Sequence, residues 1–135
     1  MRLALLSLVV VSLAGCGRPP TGLAAEVPGS SWTLERVVLG DGTVLRGDGD
    51  RVTFARGGEL TLSSCNECTG RYRVRGDELT VEAPLACTRR GCAPGAVELE
   101  RYLGGVSTLS RDGDYLVVGP AESAAYQVLL VPAGS

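Results

Sequence analysis

Four cysteines in the middle of the chain have the widest chemical repertoire of any of its side chains. Cys65 and Cys68 form a C-x-x-C motif in SSCNECTG, and Cys87 and Cys92 follow in ACTRRGC. Such a set could be a redox-active pair, a zinc site with four thiolate ligands or two structural disulfides. The choice depends on the compartment, because thiols outside the cytoplasm are normally oxidised.

The N-terminal sequence MRLALLSLVVVSLAG predicts export. Arg2 is followed by an apolar run, Leu3 to Leu13, which is too short to span a bilayer stably. The small residues Ala14 and Gly15 come next and are typical of a cleavage site. We interpret residues 1–15 as a signal peptide.

Cys16 stands directly after Leu-Ala-Gly, an arrangement that matches the bacterial lipoprotein signal. The match implies cleavage before Cys16, a diacylglycerol on its sulfur and a further acyl chain, such as palmitate, on its new amino group. Several acyl chains hold a protein at a membrane far more firmly than one. We therefore expect a lipid-anchored protein of the cell envelope, at the outer membrane if the host is Gram-negative, since Gly17 rather than aspartate follows. An ordinary secretory signal in which Cys16 falls by chance is the alternative.

Composition limits the remaining chain to one domain and few functions. Residues 16–30 are rich in Gly, Pro and Ala without an apolar period, which predicts a flexible tether and leaves 31–131 for a single-core domain. The net charge of −2 and the pI of about 5.1 argue against nucleic-acid binding. The chain has no histidine, the commonest general base and metal ligand, so we expect no enzyme activity, no cofactor and no metal site.

Export favours structural disulfides over zinc or redox chemistry for the four cysteines. Partners across an antiparallel ladder have a constant sum of residue numbers. The sums are 157 and 155 for the nested pairing, Cys65–Cys92 with Cys68–Cys87. They are 152 and 160 for the crossed pairing, Cys65–Cys87 with Cys68–Cys92, which fits a single ladder poorly. Local bridges, Cys65–Cys68 and Cys87–Cys92, stay open on this argument. The nested pairing needs a turn or bulge at Asn66-Glu67, because residues three apart point to opposite faces of a regular strand.

The domain is predicted to be mainly β (α+β). Segments of alternating polarity between Gly- and Asp-rich turns predict strands over 31–39, 51–55, 59–63, 70–76, 78–83, 106–111, 115–119 and 126–131. Leu99, Tyr102 and Leu103 recur at helical spacing and predict one helix over about 96–104. These elements fit a small antiparallel curled sheet or barrel of about eight strands, with one helix packed against it.

The order of several motifs resembles one family. The motif residues are Trp32, Leu34, Cys65, Asn66, Gly70, Tyr72, Thr88 and Cys92. Over about 31–131 they are similar to the META domain (META/HslJ-like) of bacterial envelope and heat-shock-associated lipoproteins. The resemblance implies the Cys65–Cys92 bridge. It also implies a non-enzymatic envelope lipoprotein with a role in binding or stress tolerance, because no reaction is established for the family. Cys68 and Cys87 are additions to the family pattern.

Weaker candidate sites occur elsewhere. Asp41, Asp48 and Asp50 could suggest calcium, but Asp-Gly pairs are ordinary turns and we assign them to turns. We assign the aromatic residues, among them Trp32, Phe54 and Tyr72, to the core rather than to a ligand pocket. Arg89-Arg90 is expected in an exposed loop that could dock an acidic partner.

Two alternatives stand beside an envelope lipoprotein that binds a protein partner. One is a barrel that binds a small apolar ligand or lipid, which a continuous apolar cavity would favour. The other is an inhibitor or interaction module that presents the disulfide-stapled loop 84–95, which an exposed and rigid loop would favour.

Overall fold

The computed structural model describes Gly15, Gly17 and residues 19–134 of the chain. The predicted lipidation site Cys16 and residues 1–14 of the predicted signal peptide lie outside the described residues. The elements, in chain order, are α1 (Leu23–Glu26), β1 (Ser30–Leu39), β2 (Val44–Arg46), β3 (Arg51–Phe54), β4 (Glu59–Ser63), β5 (Glu67–Arg75), β6 (Glu78–Val81), β7 (Ala86–Cys87), α2 (Glu100–Leu103), β8 (Gly105–Asp112), β9 (Tyr115–Pro120) and β10 (Tyr126–Pro132). No helix in this part of the chain is long and apolar enough to cross a bilayer.

Eight strands form a closed antiparallel barrel, as the alternating segments predict. The strands follow the order β1-β3-β4-β5-β6-β8-β9-β10, and β10 pairs with β1 to close the cylinder. β1 is long enough to pair with β10 along one edge and with both β3 and β2 along the other. The predicted hairpin of β5 and β6 turns at Gly76-Asp77, where Gly76 has a positive φ of 59°. A closed barrel leaves its eight strands no free edge along which other chains could pair.

A bulge in β1 keeps its apolar residues inside the barrel. Trp32 and Leu34 point inward, and the register then shifts between Leu34 and Arg36. Because side chains alternate between the two faces of a strand, the extra residue turns Val37 inward in place of the next even-numbered position. Val37 is fully buried, so the bulge lets one long strand contribute to the core throughout its length.

Apolar side chains fill the interior of the barrel. The fully buried ones of largest volume are Phe54, Leu60, Leu62, Leu79, Leu99, Leu103, Leu109, Leu116 and Leu130, together with smaller valines. Phe54 and Tyr72 meet edge to face, with ring centroids 5.0 Å apart. The interior is therefore a packed core, in agreement with the assignment of Trp32, Phe54 and Tyr72, whereas Tyr115, which was also assigned to the core, is only partly buried and lies against Arg36.

The two ends of the barrel are closed by different segments. α1 and the following residues close one end, which we call the capped end. There Val27 is fully buried, Trp32 donates its indole N–H to Ser30 Oγ at 2.7 Å, and the Arg111 guanidinium lies 5.4 Å from the Trp32 ring centre. The connection 82–104 and the loop 64–66 lie at the other end, which we call the stapled end.

The structure corrects two predicted boundaries. The tether was predicted to reach residue 30, but Leu23–Glu26 form a helix and Val27 is fully buried, because this short segment supplies the apolar cover of the capped end. The helix predicted over 96–104 covers only Glu100–Leu103. The Ala96 N–H donates to the Ala93 carbonyl and so belongs to a preceding turn, and Gly104 has extended backbone angles. A helix can therefore form only between these two residues.

Candidate functional site

Two nested disulfides hold the stapled end. Cys68 on β5 lies directly opposite Cys87 on β7, and the two are bonded with their Cα atoms 4.1 Å apart. Cys65 is bonded to Cys92, with a Cα–Cα distance of 5.6 Å. Cys65 lies in the bend between β4 and β5, where the Ser64 N–H donates to the Asn66 carbonyl at 3.0 Å. This bend is the departure from regular strand geometry that the nested pairing required.

Asn66 is the polar centre of this region and is 6% exposed. Its Oδ1 accepts a hydrogen bond from the Arg90 N–H at 2.7 Å, and its Nδ2 donates to Glu100 Oε1 at 3.3 Å. The Thr88 Oγ1 accepts from the Glu67 N–H at 3.0 Å and also lies 3.5 Å from Asn66 Oδ1. Hydrogen bonds of Asn66 and Thr88, two residues of the family motif, therefore connect the bend at residues 64–66, the loop 88–96 and α2.

The Glu100 carboxylate is divided between two environments. One oxygen, Oε1, accepts the hydrogen bond from Asn66, whereas Oε2 is buried and has no hydrogen-bond partner in the described part of the chain. The Sγ atoms of Cys68 and Cys87 and an oxygen of this carboxylate all lie within 4.8 Å of one another. A carboxylate thus faces the inner disulfide at the stapled end.

The loop 88–96 is exposed although its attachment points are fixed. Every residue from Thr88 to Ala96 is exposed except Cys92, which is partly buried by its bridge. Disulfides fix the chain at Cys87 and Cys92, and Asn66 holds the Arg90 backbone between them. The positions of Arg89 and Arg90 are thereby set by covalent bonds and one buried side chain.

An open cleft of about 540 Å³ lies beside this loop. One wall is formed by residues 93–97, and the other by the β2–β3 connection and the end of β4. Its polar groups include Arg46, Asp48 and the hydroxyls of Ser63 and Ser64. The mixed lining is suited to a peptide or a polar surface, and it differs from the apolar interior cavity that a lipid-binding barrel would need.

The remaining motif residues shape the barrel. A Cβ atom at Gly70 would overlap the Leu85 side chain, which covers this glycine at the break between β6 and β7. Tyr72 is buried, donates its hydroxyl to the Ala55 carbonyl and has its pKa raised by desolvation. Trp32 and Leu34 belong to the core. Packing accounts for the residue type at these four positions.

Two of the three aspartates considered for calcium accept hydrogen bonds within turns, and the third donates its backbone N–H to one of them. Asp41 accepts the Thr43 N–H at 2.8 Å in an exposed turn, and this hydrogen bond lowers the pKa of its carboxyl. Asp50 accepts the Asp48 N–H at 2.8 Å. Asp41 belongs to an Asp-Gly pair, whereas Asp50 precedes Arg51 and accepts from the backbone of the pair Asp48-Gly49.

Glu100 was not singled out from the sequence. Its position relative to Leu103 gave a signal, because residues three apart share one face of a helix and Leu103 is one of the apolar residues at helical spacing. A charged residue on that face implies a buried partner. The sequence could not identify the partner, since Asn66 and the cysteines come from distant segments.

Fold and stapled end together define a small disulfide-linked barrel with a packed interior. The META domain matches residues 25–132, so the chain belongs to the META domain family. Two solved NMR structures share the fold. A protein from Burkholderia xenovorans is 16% identical with a TM-score of 0.64, and the match covers 94% of this chain and all of the other. A second is 20% identical with a TM-score of 0.61, covering 83% and 96%. Among curated proteins, none matches this chain.

Proposed function

We propose that this chain is a lipid-anchored envelope protein whose META barrel binds a protein partner through the stapled end and carries out no reaction of its own. The observation that carries the proposal is the exposed stretch Thr88–Gly91, held between two disulfide-bonded cysteines. The loop residues between the two bridged cysteines bury little surface of their own. The benefit of the two disulfides is a fixed shape, which lowers the entropy that a binding partner must remove.

The charges of the loop favour an acidic surface on the partner. Arg89 and Arg90 are both exposed, and Arg46 lines the adjoining cleft. Exposed arginines make bidentate hydrogen bonds to carboxylates, and they raise the rate at which an acidic surface is captured. The cleft beside the loop would receive a part of the partner that extends beyond the arginines.

The chemistry of the remaining groups supports binding rather than catalysis. The chain lacks histidine. Among the described residues, the side chains with a resolved pKa shift are Asp41, Tyr72 and Tyr126, which serve one exposed turn and two core contacts. None of the three lines the cleft at the stapled end.

Anchoring at a membrane would orient the barrel. In this proposal the lipid on Cys16 holds the N-terminal side near the bilayer. The capped end, which contains α1, follows directly in sequence. The stapled end lies at the opposite end of the barrel, so it would face away from the membrane toward envelope proteins. The Cys16→Ser variant should be released from the membrane fraction.

The binding proposal is tested by site-specific crosslinking in the host cell. A photoreactive residue placed at Arg89 should crosslink to discrete partners, whereas the same residue at Arg75, near the capped end, should not give those products. Arg89→Glu with Arg90→Glu should abolish the products and leave folding unchanged. Arg73→Glu with Arg75→Glu is the matched charge control and should preserve them. Equal crosslinking from both positions, or products that survive reversal at positions 89 and 90, would contradict the proposal.

A further inference from the structure

The inner disulfide and Glu100 form a cluster that partner binding does not use. The cluster brings together Cys68 on β5, Cys87 on β7 and Glu100 on α2, with their ligand atoms within 4.8 Å of one another. Cys68 is fully buried, and Glu100 Oε2 is the buried side-chain oxygen that has no partner within the described residues. Three separate elements of the fold supply the three groups.

The unpartnered oxygen is costly in the oxidised protein. A buried polar atom without a hydrogen bond loses its solvation and gains nothing in return. Disulfide sulfurs carry no hydrogen, so the bridge cannot donate to Oε2. Asn66 does not serve both oxygens. Its Nδ2 directs its two hydrogens toward Glu100 Oε1, at 3.3 Å, and Cys92 Sγ, at 3.9 Å, while its Oδ1 accepts from the Arg90 N–H.

We propose that reduction of the Cys68–Cys87 bridge converts this cluster into a binding site for one zinc ion. Two thiolates and one carboxylate are ligands that Zn²⁺ prefers, and three protein ligands leave the fourth tetrahedral position to water. We assign Oε2 as the ligand oxygen because Oε1 already accepts the hydrogen bond from Asn66 Nδ2, which holds the carboxylate in place. The cation supplies the partner that Oε2 lacks.

The conversion balances with an ordinary dithiol as the reductant. The dithiol transfers two electrons and two protons to the bridge, the Cys68 Sγ–Cys87 Sγ bond breaks, and the dithiol becomes a cyclic disulfide. Zn²⁺ then binds both sulfurs as thiolates, and the two thiol protons pass to the buffer. The site therefore exists in the reduced form and is closed by oxidation.

Metal binding is measured on the purified full chain carrying Cys16→Ser, which removes the fifth thiol. Zn²⁺ is titrated against a chromophoric chelator, and Co²⁺ serves as the spectroscopic probe for thiolate charge-transfer bands. Reduced protein should bind one Zn²⁺ per chain and oxidised protein none. Glu100→Gln, which keeps the side-chain shape, should weaken binding by roughly tenfold or more. Zn²⁺ should also raise the melting temperature of the reduced protein, and this shift should disappear in Glu100→Gln.

Matched cysteine pairs separate this site from adventitious thiol binding. Cys65→Ser with Cys92→Ser should keep the zinc affinity, whereas Cys68→Ser with Cys87→Ser should lose it. Affinity that is unchanged in Glu100→Gln, or retained without Cys68 and Cys87, would overturn the proposal. A reduced chain that stays folded but does not bind zinc would also overturn it. So would a reduced chain that is unfolded and does not refold when zinc is added, because a ligand that binds the folded state must stabilise that state. The outcome is independent of the crosslinking at Arg89.

Discussion

The capped end and the stapled end solve the same problem by different means. At the capped end, α1 and Val27 cover the core through apolar packing, supplemented by Arg111 above Trp32 and an Arg111–Glu26 contact of 3.5 Å. At the stapled end, Val97, Leu99 and Leu103 fill the core, while the loop 88–96 that precedes them contributes almost no buried surface. Because packing contributes little to holding this loop, the two disulfides and the hydrogen bond from the Arg90 N–H to Asn66 attach it to the barrel. This difference is the basis of our proposal that the loop contacts a partner outside the barrel.

The largest expected effect breaks the capped end. Trp32→Ala should lower the free energy of unfolding by about 3–5 kcal/mol, because it leaves a large cavity in the core and removes the aromatic ring against which the Arg111 guanidinium lies. Urea denaturation of oxidised protein measures the loss. If the two ends are independent, the same loss should appear in protein lacking the Cys65–Cys92 bridge, since effects at distant sites add. A strongly changed loss would show that the ends are coupled.

The next effect breaks the stapled end. Cys65→Ala with Cys92→Ala should lower the free energy of unfolding by about 2–4 kcal/mol, because the unfolded chain loses a constraint across 27 residues. Trypsin should then cleave the native protein faster after Arg89 and Arg90. Cleavage after Arg73 and Arg75, which lie within β5, is the internal control and should change far less. Equal acceleration at all four sites would mean that cleavage follows global unfolding and that the loop does not open locally.

A smaller loss of stability is expected when the hydrogen bonds of the stapled end are removed and its disulfides are kept. Asn66→Ala should cost about 1–3 kcal/mol, because it leaves the Arg90 N–H and Glu100 Oε1 without their partner. Hydrogen exchange at the Arg90 amide should accelerate while both disulfides stay intact. Gln127→Ala, at an exposed position of β10, is the control and should change stability by less than about 0.5 kcal/mol. An unprotected Arg90 amide in the wild type would contradict the role given to Asn66.

Sequence reasoning succeeded where structure is local. The eight barrel strands follow from alternation of side chains, and the turn at Gly76-Asp77 follows from its residue types. The strands Val44–Arg46 and Ala86–Cys87 were missed because they are too short to show alternation, and each exists only because it pairs with a longer neighbour. α1 was missed because Leu23–Glu26 is a single turn, too short to be stable by itself, and Leu23 packs against the core of the barrel.

The candidate site was only partly accessible from the sequence for a related reason. The constant sum of residue numbers favoured nested bridges because both pairs cross antiparallel segments. Asn66 and Thr88 came from the family resemblance and Glu100 from neither source. Contacts between Asn66 and Glu100 join residues 34 positions apart, and no local pattern encodes such a distance.

The smallest effect compares one tyrosine toward each end. Tyr72 donates its hydroxyl to the Ala55 carbonyl, and Tyr126 donates to the Tyr102 carbonyl at 2.8 Å. Burial raises the pKa of both phenols above the ordinary value of 10.0, and the neighbouring Tyr102 raises that of Tyr126 further. Each Tyr→Phe variant should lose about 0.5–1.5 kcal/mol at neutral pH with the hydrogen bond.

The raised pKa values of these two tyrosines should also make the stability of the wild type fall at alkaline pH. A phenol whose folded-state pKa is raised keeps its proton in the folded protein after the unfolded chain has begun to release it. Its stabilising contribution is complete below pH 10 and is lost as the pH rises through the folded-state pKa. Melting temperatures should therefore fall more steeply above pH 10 in the wild type than in Tyr72→Phe with Tyr126→Phe, although that variant is less stable at pH 7. Parallel curves of melting temperature against pH for the two proteins would show that neither phenol has a raised pKa. If only one of the two single Tyr→Phe variants reduces the steepness of the fall, the tyrosine replaced in that variant is the more strongly desolvated one.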